Sequence, residues 1–329
     1  MRLVRRRSVL PIVGWWLAAL LAACGPAEAA LPFTATATPT VRPVVIVVAT
    51  DTPAGPTETA TLPASPTAAP PTATATEPAA TAAPPTATLV QPTPDAEAAG
   101  RRVRLPILMY HYVEPWPADA DLIRQGLTVK PEDFAAQMAY LHENGYVTVS
   151  LYDLADAVAL GTPLPEKAVV LTFDDGYRSL LDYVVPVLQP YGYTGTAFVI
   201  TQFIDEERPE YLSWAQAEAL YAQGWKIEPH TKTHDSLKGR DRDFQLYQML
   251  GSAQTVEAHI GTPPRFLAYP SGQYDDLSVE LAAEMNLWGA VTTVAGRTHT
   301  WADRYEWTRV RVTGDGVMQD FLNGLEGGN

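Results

Sequence analysis

Between residues 106 and 312, short apolar runs alternate with longer stretches of helical periodicity, and this alternation limits the fold more than any other feature. Several of the runs are continuously apolar, which is typical of parallel strands buried on both faces. Strand–helix alternation of this kind predicts an α/β architecture. The length of residues 101–329 favours a distorted (β/α) barrel of about seven to eight mostly parallel strands over an open sheet.

In barrels of this class the chemistry lies at the carboxyl ends of the strands, so the strand ends indicate where to look for a site. The predicted strands cover 106–112, 146–150, 168–173, 195–200, 225–230, 265–270, 289–294 and 308–312. The predicted helices cover 131–144, 151–159, 179–189, 213–223, 242–260 and 277–285.

The amino terminus has the pattern of a secretion signal. An arginine-rich segment precedes an apolar stretch over residues 9–21, which is shorter than the roughly 20 residues of a membrane span. The sequence "LAAC" that follows resembles the lipobox of bacterial lipoproteins, which implies a signal peptide over 1–23 and a lipid anchor on Cys24. The alternatives are an uncleaved anchor, or an ordinary signal with a chance cysteine. We expect an exported protein, lipid-anchored to the outer face of the bacterial cell membrane or held in the cell envelope.

Residues 24–100 are rich in Thr, Pro and Ala and predict a disordered tether, because they cannot bury enough apolar surface to fold. Residues 101–329 then form one catalytic domain, which we expect to be a monomer. The net charge of −14 argues against nucleic acid and against an anionic membrane surface as ligands, leaving the lipid anchor as the membrane contact. Cys24 is the single cysteine, so any metal in the domain must be held by His, Asp or Glu.

Three motifs each close a predicted strand. "LTFDDGY" (171–177) ends an apolar run on Asp174 and Asp175, two adjacent carboxylates that repel each other where water is scarce. Taken alone, Asp-Gly here is typical of a turn.

The second motif, "EPHTKTH", places His230 and His234 four residues apart, close enough on a helical turn to share one ion. The third, "PRFLAYPSG" (264–272), contains Arg265 and Tyr269. Each motif alone has an ordinary alternative: surface histidines for the second, and a strand followed by a turn for the third.

In this order, "TFDDG", "HTKTH" and "RFLAYPSG" resemble the motifs of the polysaccharide deacetylase superfamily, metal-dependent carbohydrate esterases, over residues 105–314. The resemblance implies that Asp175, His230 and His234 bind a divalent metal and that Asp174 is the general base. Two imidazoles and one carboxylate leave coordination positions open for water and a substrate oxygen. Zinc is the first expectation, and Co²⁺, Ni²⁺ and Fe²⁺ accept the same ligands.

The resemblance also implies roles for two residues of the third motif. The backbone N–H of Tyr269 would stabilise the oxyanion of the intermediate. Arg265 would orient the Asp174 carboxylate and keep it ionised.

The usual late histidine that protonates the leaving amine is missing, because the corresponding strand reads "RVRV" (309–312). A circularly permuted branch, which includes the poly-β-1,6-N-acetylglucosamine deacetylases, carries this histidine on its first strand. "PILMYHYV" therefore makes His111 the candidate acid, with a buried core histidine as the alternative and His299 as the second candidate.

The resemblance therefore implies a metal-dependent hydrolase that removes N-acetyl groups from a polysaccharide containing N-acetylglucosamine at the cell surface. The alternatives are an O-acetyl esterase acting on a polymer such as xylan, and a non-catalytic glycan-binding lipoprotein. Aromatic residues that could stack on sugars, although such residues more often pack in the core or in loops, are Trp116, Tyr177, Trp214, Trp301 and Trp307.

Overall fold

A computed structural model describes residues 90–327 of the chain. The predicted signal peptide, Cys24 and the predicted tether up to residue 89 lie outside the described residues. Residues 95–100, predicted as tether, lie against the folded domain. Ala98 is buried, and the backbone N–H of Asp95 donates to the carbonyl of Ala159. The folded domain therefore begins earlier than the boundary at residue 101 that composition predicted.

The sheet has the predicted α/β architecture. The strands are β1 (Val103–Arg104), β2 (Ile107–Tyr110), β3 (Tyr112–Val113), β4 (Thr128–Val129), β5 (Val147–Thr148), β6 (Ala168–Phe173), β7 (Thr196–Val199), β8 (Lys226–Pro229), β9 (Phe266–Ala268), β10 (Gly289–Ala295), β11 (Thr298–His299) and β12 (Trp307–Arg311). The main sheet has the order β8-β7-β6-β2-β12-β10-β9, with β5 also paired to β6, and its pairings are parallel. It curls into a nearly closed barrel, which confirms the predicted fold class.

Helices connect the strands. They are α1 (Leu122–Leu127), α2 (Pro131–Glu143), α3 (Leu151–Leu160), α4 (Val185–Leu188), α5 (Thr201–Asp205), α6 (Trp214–Ala222), α7 (Arg242–Ile260), α8 (Asp276–Glu284) and α9 (Met318–Glu326). The helix predicted over 179–189 begins as a π-helix (Leu180–Val184), continues as α4 and ends in a 3₁₀ turn (Gln189–Tyr191). Pro186 and Pro190 have no N–H to donate to a regular ladder, which accounts for the breaks. Among the described residues, no helix combines the length and apolar character that crossing a membrane requires.

Side chains alternate between the barrel interior and the helical layer. In β6, Val170 packs with Ile107 and Trp307 inside the barrel, whereas Leu171 packs with residues of the surrounding helices. Thr172, which also faces inward, is fully buried and donates its hydroxyl to the carbonyl of Leu108. This inward row approaches the carboxyl edge of the sheet, where the motifs lie.

The barrel is open between its edge strands β8 and β9, which exchange no ladder hydrogen bonds. Side chains of β8 bridge this seam instead. The backbone N–H groups of Arg265 and Phe266 donate to Oε2 of Glu228, each at 2.9 Å, and the hydroxyl of Tyr152 donates to Oε1 at 2.7 Å. One buried carboxylate thus replaces part of the missing ladder. Burial raises the pKa of Glu228 to about 7, against the opposing effect of these donors.

We expect Glu228→Ala to lower the free energy of unfolding by about 3 kcal/mol, because it leaves buried donors without an acceptor. Glu228→Gln should lose less, since one amide oxygen still accepts. In chelator-treated wild type, the contribution of Glu228 to stability should fall as pH rises from 4.5 towards 7, because the folded carboxyl holds its proton more tightly than the unfolded one, while the buried histidines with lowered pKa values contribute in the opposite direction. Urea unfolding at about pH 5 and about pH 8 measures this. The Gln variant should lack this part of the pH dependence, and identical slopes in both proteins would contradict the assignment.

Candidate active site and metal centre

The sheet brings its strand ends together at one edge because the strands are parallel. A cavity of about 360 Å³ at this edge is lined by residues that follow β2, β6, β8 and β9. Its lining includes His111, Asp174, Asp175, His230, His234 and Ser271. Five of the eight residues for which the sequence predicted a role at a site therefore lie in one cavity.

Asp175, His230 and His234 form a cluster that could hold a metal ion. Oδ1 of Asp175 lies 3.5 Å from Nε2 of His230 and 3.4 Å from Nε2 of His234. Two ligands about 2.0–2.2 Å from one tetrahedral ion lie about 3.3–3.6 Å apart, so this spacing suits a shared cation. Oδ1 of Asp175 is also buried and has no hydrogen-bond partner among the described residues. The residues present therefore fit a divalent metal.

The backbone and neighbouring groups prepare His230 for this role. Its Nδ1 lies 2.7 Å from the carbonyl oxygen of Ala268, which can only accept, so Nδ1 carries the hydrogen and the Nε2 lone pair faces Asp175. Burial lowers the pKa of His230 to about 4 and also lowers the pKa of His234. Both rings are therefore neutral at pH 7, the form that binds metals. The bond to Ala268 also spans the seam between β8 and β9.

The segment that carries the two histidines is a loop and not the helical turn that the spacing predicted. Thr231 and His234 both adopt left-handed backbone angles, each with φ of 63°, which breaks a helix. The side chain of Gln248 in α7 holds the loop, since its Oε1 accepts from the N–H groups of Lys232 and Thr233. The loop still brings both rings to one side, with centroids 4.8 Å apart.

Backbone strain is concentrated around the cavity. Asp175 has φ of 72° and Ser271 has φ of 52°, besides the two residues of the histidine loop. Asp and His tolerate this region better than most residues, whereas a β-branched residue such as Thr231 rarely occupies it. The Asp-Asp-Gly segment is thus both the turn that its composition indicates and part of the site, with Gly176 also left-handed at φ of 77°.

Asp174 lines the same cavity as the candidate metal cluster and is held by a buried arginine. The two terminal guanidinium nitrogens of Arg309, Nη1 and Nη2, donate to the two carboxylate oxygens of Asp174, each at 2.7 Å. Arg309 is fully buried and also donates to the carbonyl of Thr292 and the hydroxyl of Thr172. Burial alone would raise the pKa of Asp174, but the charge and hydrogen bonds of Arg309 outweigh it and hold the pKa well below its usual range. Asp174 is therefore ionised at neutral pH.

The sequence predicted that Arg265 would hold the Asp174 carboxylate. In the structure Arg309 makes this contact instead. Arg265 precedes β9 and so lies at the amino edge of the sheet, opposite the edge where Asp174 follows β6. Its guanidinium carbon is 5.9 Å from the ring centroid of Trp288. An arginine on a barrel strand needs a buried partner, but the sequence of β12, "WTRVR", does not show which residue that partner is.

The backbone N–H of Tyr269, which was predicted to stabilise the oxyanion, already has a hydrogen-bond partner. Its N–H donates to the carbonyl of Val291 at 3.2 Å as part of the sheet, so it is not available as a donor to an oxyanion in this conformation. The N–H of Tyr269 is taken because the residue directly continues β9 beside β10.

The two candidate acids lie at opposite ends of the barrel. His111 lines the cavity, with Nε2 3.9 Å from Oδ2 of Asp174, and its side chain is 12% exposed. Burial lowers the pKa of His111 to about 4, while the Asp174 carboxylate opposes the shift. His299 is fully buried, and its Nε2 lies 2.9 Å from the carbonyl oxygen of Leu105, which precedes β2. Only His111 of these two can reach a ligand in the cavity.

Of the aromatic residues that could stack on sugars, Tyr177 alone lines the cavity. The indole N–H of Trp116 donates to Thr128, Trp214 stacks on His259, and Trp307 is buried inside the barrel. Trp301 faces the guanidinium of Arg304.

The fold and the site together define a barrel hydrolase with a candidate metal centre, and comparison with known proteins gives its family. Residues 161–289 match the family described as polysaccharide deacetylase. YxkH of Bacillus subtilis, which carries the name of a polysaccharide deacetylase, is 30% identical over 210 residues, covering 64% of this chain and 72% of that protein. The chain belongs to the polysaccharide deacetylase family.

Two further proteins are similar. The poly-β-1,6-N-acetyl-D-glucosamine N-deacetylase of Escherichia coli K12 is 39% identical over 98 residues, which cover 30% of this chain but only 14% of that protein. The structure of the Streptococcus pyogenes deacetylase PplD in complex with acetate superposes with a TM-score of 0.64 at 27% identity, covering 69% of this chain and all of that one.

We expect Arg309→Met to lower the free energy of unfolding by about 3–5 kcal/mol, because it leaves the Asp174 charge buried and unpaired. The double variant Asp174→Asn/Arg309→Met should lose less than the sum of the two single losses. Urea unfolding of the four proteins measures this coupling. Arg178→Met, which removes an exposed arginine 3.7 Å from Asp182, is the control and should cost less than about 1 kcal/mol. Additive losses at Arg309 and Asp174 would show that the pair is not coupled.

Proposed function

We propose that this protein removes N-acetyl groups from a polysaccharide containing N-acetylglucosamine, with a divalent metal held by Asp175, His230 and His234. The observation that carries the proposal is the set of side chains that line one cavity. A three-ligand cluster, an ionised carboxylate and an imidazole lie there together. These are the groups that hydrolysis of an amide requires: a site for an electrophile, a proton acceptor and a proton donor.

The names of the similar proteins support an acetamide as substrate. The E. coli relative is named for N-deacetylation of poly-β-1,6-N-acetyl-D-glucosamine, and PplD was solved with acetate, the product that deacetylation releases. Since the match covers a small part of the E. coli protein, the polymer is inferred by analogy.

Asp175, His230 and His234 would hold a divalent cation, which would supply Lewis acidity and activate a water for attack. The protein's own contribution is to hold the ligands neutral or ionised as required and to keep a second carboxylate nearby. Asp175, with its unpaired Oδ1, offers the negative charge, and the two neutral imidazoles leave further positions open.

Asp174 and His111 would move the protons. Asp174 accepts a proton from the attacking water while Arg309 fixes its two oxygens in place. Because Arg309 donates to both oxygens of Asp174 and lowers the pKa of this carboxyl, Asp174 is a weak base. His111, 3.9 Å away and neutral at pH 7, therefore gains its proton during turnover and donates it to the departing amine. The net change is one water added across the C–N bond, giving acetate and a free amine.

We also propose that the enzyme works at the cell surface on a lipid anchor at Cys24. The support for this is the sequence alone, with its arginine-rich start and the "LAAC" segment.

Asp174→Asn and Asp175→Asn should separate the two carboxylate roles. Asp174→Asn should lower turnover of acetylated chitooligosaccharides by at least about 10²-fold, the size typical of a lost general base, with metal content unchanged. Asp175→Asn should instead weaken metal binding. Acetate release with and without chelator, together with metal analysis, measures both. A fall in metal content in the first variant and not in the second would reverse the assignment, and no acetate from metal-loaded wild type would reject the proposed function.

His111→Ala should lower acetamide hydrolysis by about 10²–10³-fold with metal content unchanged, since an amine leaves poorly without a proton. An activated aryl acetate, whose leaving group needs no proton, should be hydrolysed nearly as fast as by wild type. His299→Ala, on the far side of the barrel, is the matched control for substrate preference. Equal losses of His111→Ala on both substrates would mean that His111 is structural.

A further inference from the structure

Arg311 faces the catalytic cavity from the end of β12, and the reaction proposed above does not use it. Arg309, two residues earlier, points into the barrel and holds Asp174. Residues two apart on a strand face the same side and lie roughly 6–7 Å apart, so Arg311 also points inward, nearer the carboxyl edge. It lines the cavity together with His111, Asp174 and Asp175. A permanently charged guanidinium therefore stands at the mouth of the candidate active site.

The pairing of the strands places Arg311 beside the proposed acid. β12 and β2 are parallel, with Arg311 opposite Met109. His111 lies two residues after Met109, so His111 and Arg311 border the same side of the cavity. Burial is the main cause of the lowered pKa of His111, and the positive charge of Arg311 adds to it. The charge of Arg311 thus acts directly on the groups that are proposed to react.

The side chain of Arg311 has no ion pair in the part of the chain that the structure describes. Both oxygens of Asp174 accept from Arg309, and Asp175 belongs to the candidate metal cluster. Arg311 is also exposed, so its N–H groups can reach a ligand in the cavity. Elsewhere in the domain, exposed or half-buried arginines that pair with carboxylates include Arg101, Arg208 and Arg242.

The proposed reaction needs a hydrogen-bond donor at the acetyl oxygen. Attack on the acetyl carbonyl moves negative charge onto this oxygen, and a donor aimed at it lowers the barrier. The N–H of Tyr269, which the sequence predicted for this role, donates to the carbonyl of Val291. A backbone donor is therefore held by the sheet, while a guanidinium with unused N–H groups faces the same cavity.

We propose that Arg311 is a further catalytic residue, which donates to the acetyl oxygen as negative charge develops there. The proposal rests on the proposed function for the natural substrate, but it applies to any acetyl group attacked in this cavity, esters included. Arg311 keeps its protons throughout, so Asp174 still accepts the proton of the water and His111 still protonates the amine. The same guanidinium binds the carboxylate of the acetate product, whose two oxygens share one negative charge.

The first test compares two substrates. Arg311→Met should lower kcat by about 10²-fold on acetylated chitooligosaccharides and also on an activated aryl acetate, because an oxyanion forms on both. This pattern separates Arg311 from His111, whose removal should leave the aryl acetate nearly unaffected. Arg311→Lys keeps the charge and should lose less than the Met variant. Metal content and the urea midpoint should stay at wild-type values, because Arg311 is neither a ligand of the candidate metal cluster nor part of a described ion pair.

The second test is binding and needs no turnover. The full chain, loaded with metal and titrated with isotopically labelled acetate, should bind acetate about tenfold more weakly in Arg311→Met, the size of one hydrogen bond to a charged group. NMR of the labelled acetate measures this affinity. Arg240→Met is the matched control, because Arg240 is also exposed and lies over the ring of Phe244 outside the cavity lining. It should match wild type in rate and in acetate affinity.

The outcomes separate this role from the proposed function. Equal rates and acetate affinities in Arg311→Met and Arg240→Met would overturn the role, even where wild type deacetylates. A loss confined to the acetamide, or an equal loss in the Lys and Met variants, would also contradict it. Losses of aryl acetate hydrolysis and acetate binding in Arg311→Met, with no acetate released from chitooligosaccharides by wild type, would uphold the role and reject N-deacetylation.

Discussion

The ion pair between Arg309 and Asp174 is the interaction on which the site depends. Two charges enclosed by a barrel are tolerated only when each finds its partners, and here both carboxylate oxygens and three guanidinium nitrogens are bonded. Because Arg309 stands on β12 and Asp174 follows β6, with β2 between them, the pair crosses the barrel interior and fixes three neighbouring strands. His111 at the end of β2 is thereby placed beside the carboxylate.

Buried polar side chains also connect neighbouring strands at the seam between β8 and β9. Glu228 on β8 and His230 directly after this strand reach across to the backbone of residues 265–268 with opposite polarity: Glu228 accepts from N–H groups and His230 donates to a carbonyl. The seam and the candidate metal cluster are therefore joined through His230. A ligand that pulls on its Nε2 acts on the closure of the sheet, so metal binding and barrel stability should be linked.

The sequence predicted correctly those strands and site residues that leave a pattern among neighbouring residues of the chain. The strand "AVVLTF" was predicted with the bounds that the structure has, because its run is continuously apolar, and both histidines and both aspartates fall in the cavity because each follows a parallel strand. Arg309 was missed because its partner lies 135 residues away, and no local pattern records such a contact. Helices α1 and α9 were missed because Gly126 and Gly324 lower their intrinsic helix preference, and tertiary packing holds them in place.

The left-handed residues around the cavity bear on how such a chain persists in evolution. Each costs folding energy, on the order of 1 kcal/mol for a residue like Thr231, and the buried carboxylates of Asp174 and Asp175 add to that cost. A lineage that had lost the reaction could regain stability by ordinary drift, for example through glycine at Thr231 or an apolar residue at Asp175. This chain carries all of these costly residues, and they include both carboxylates and the histidine loop of the cavity.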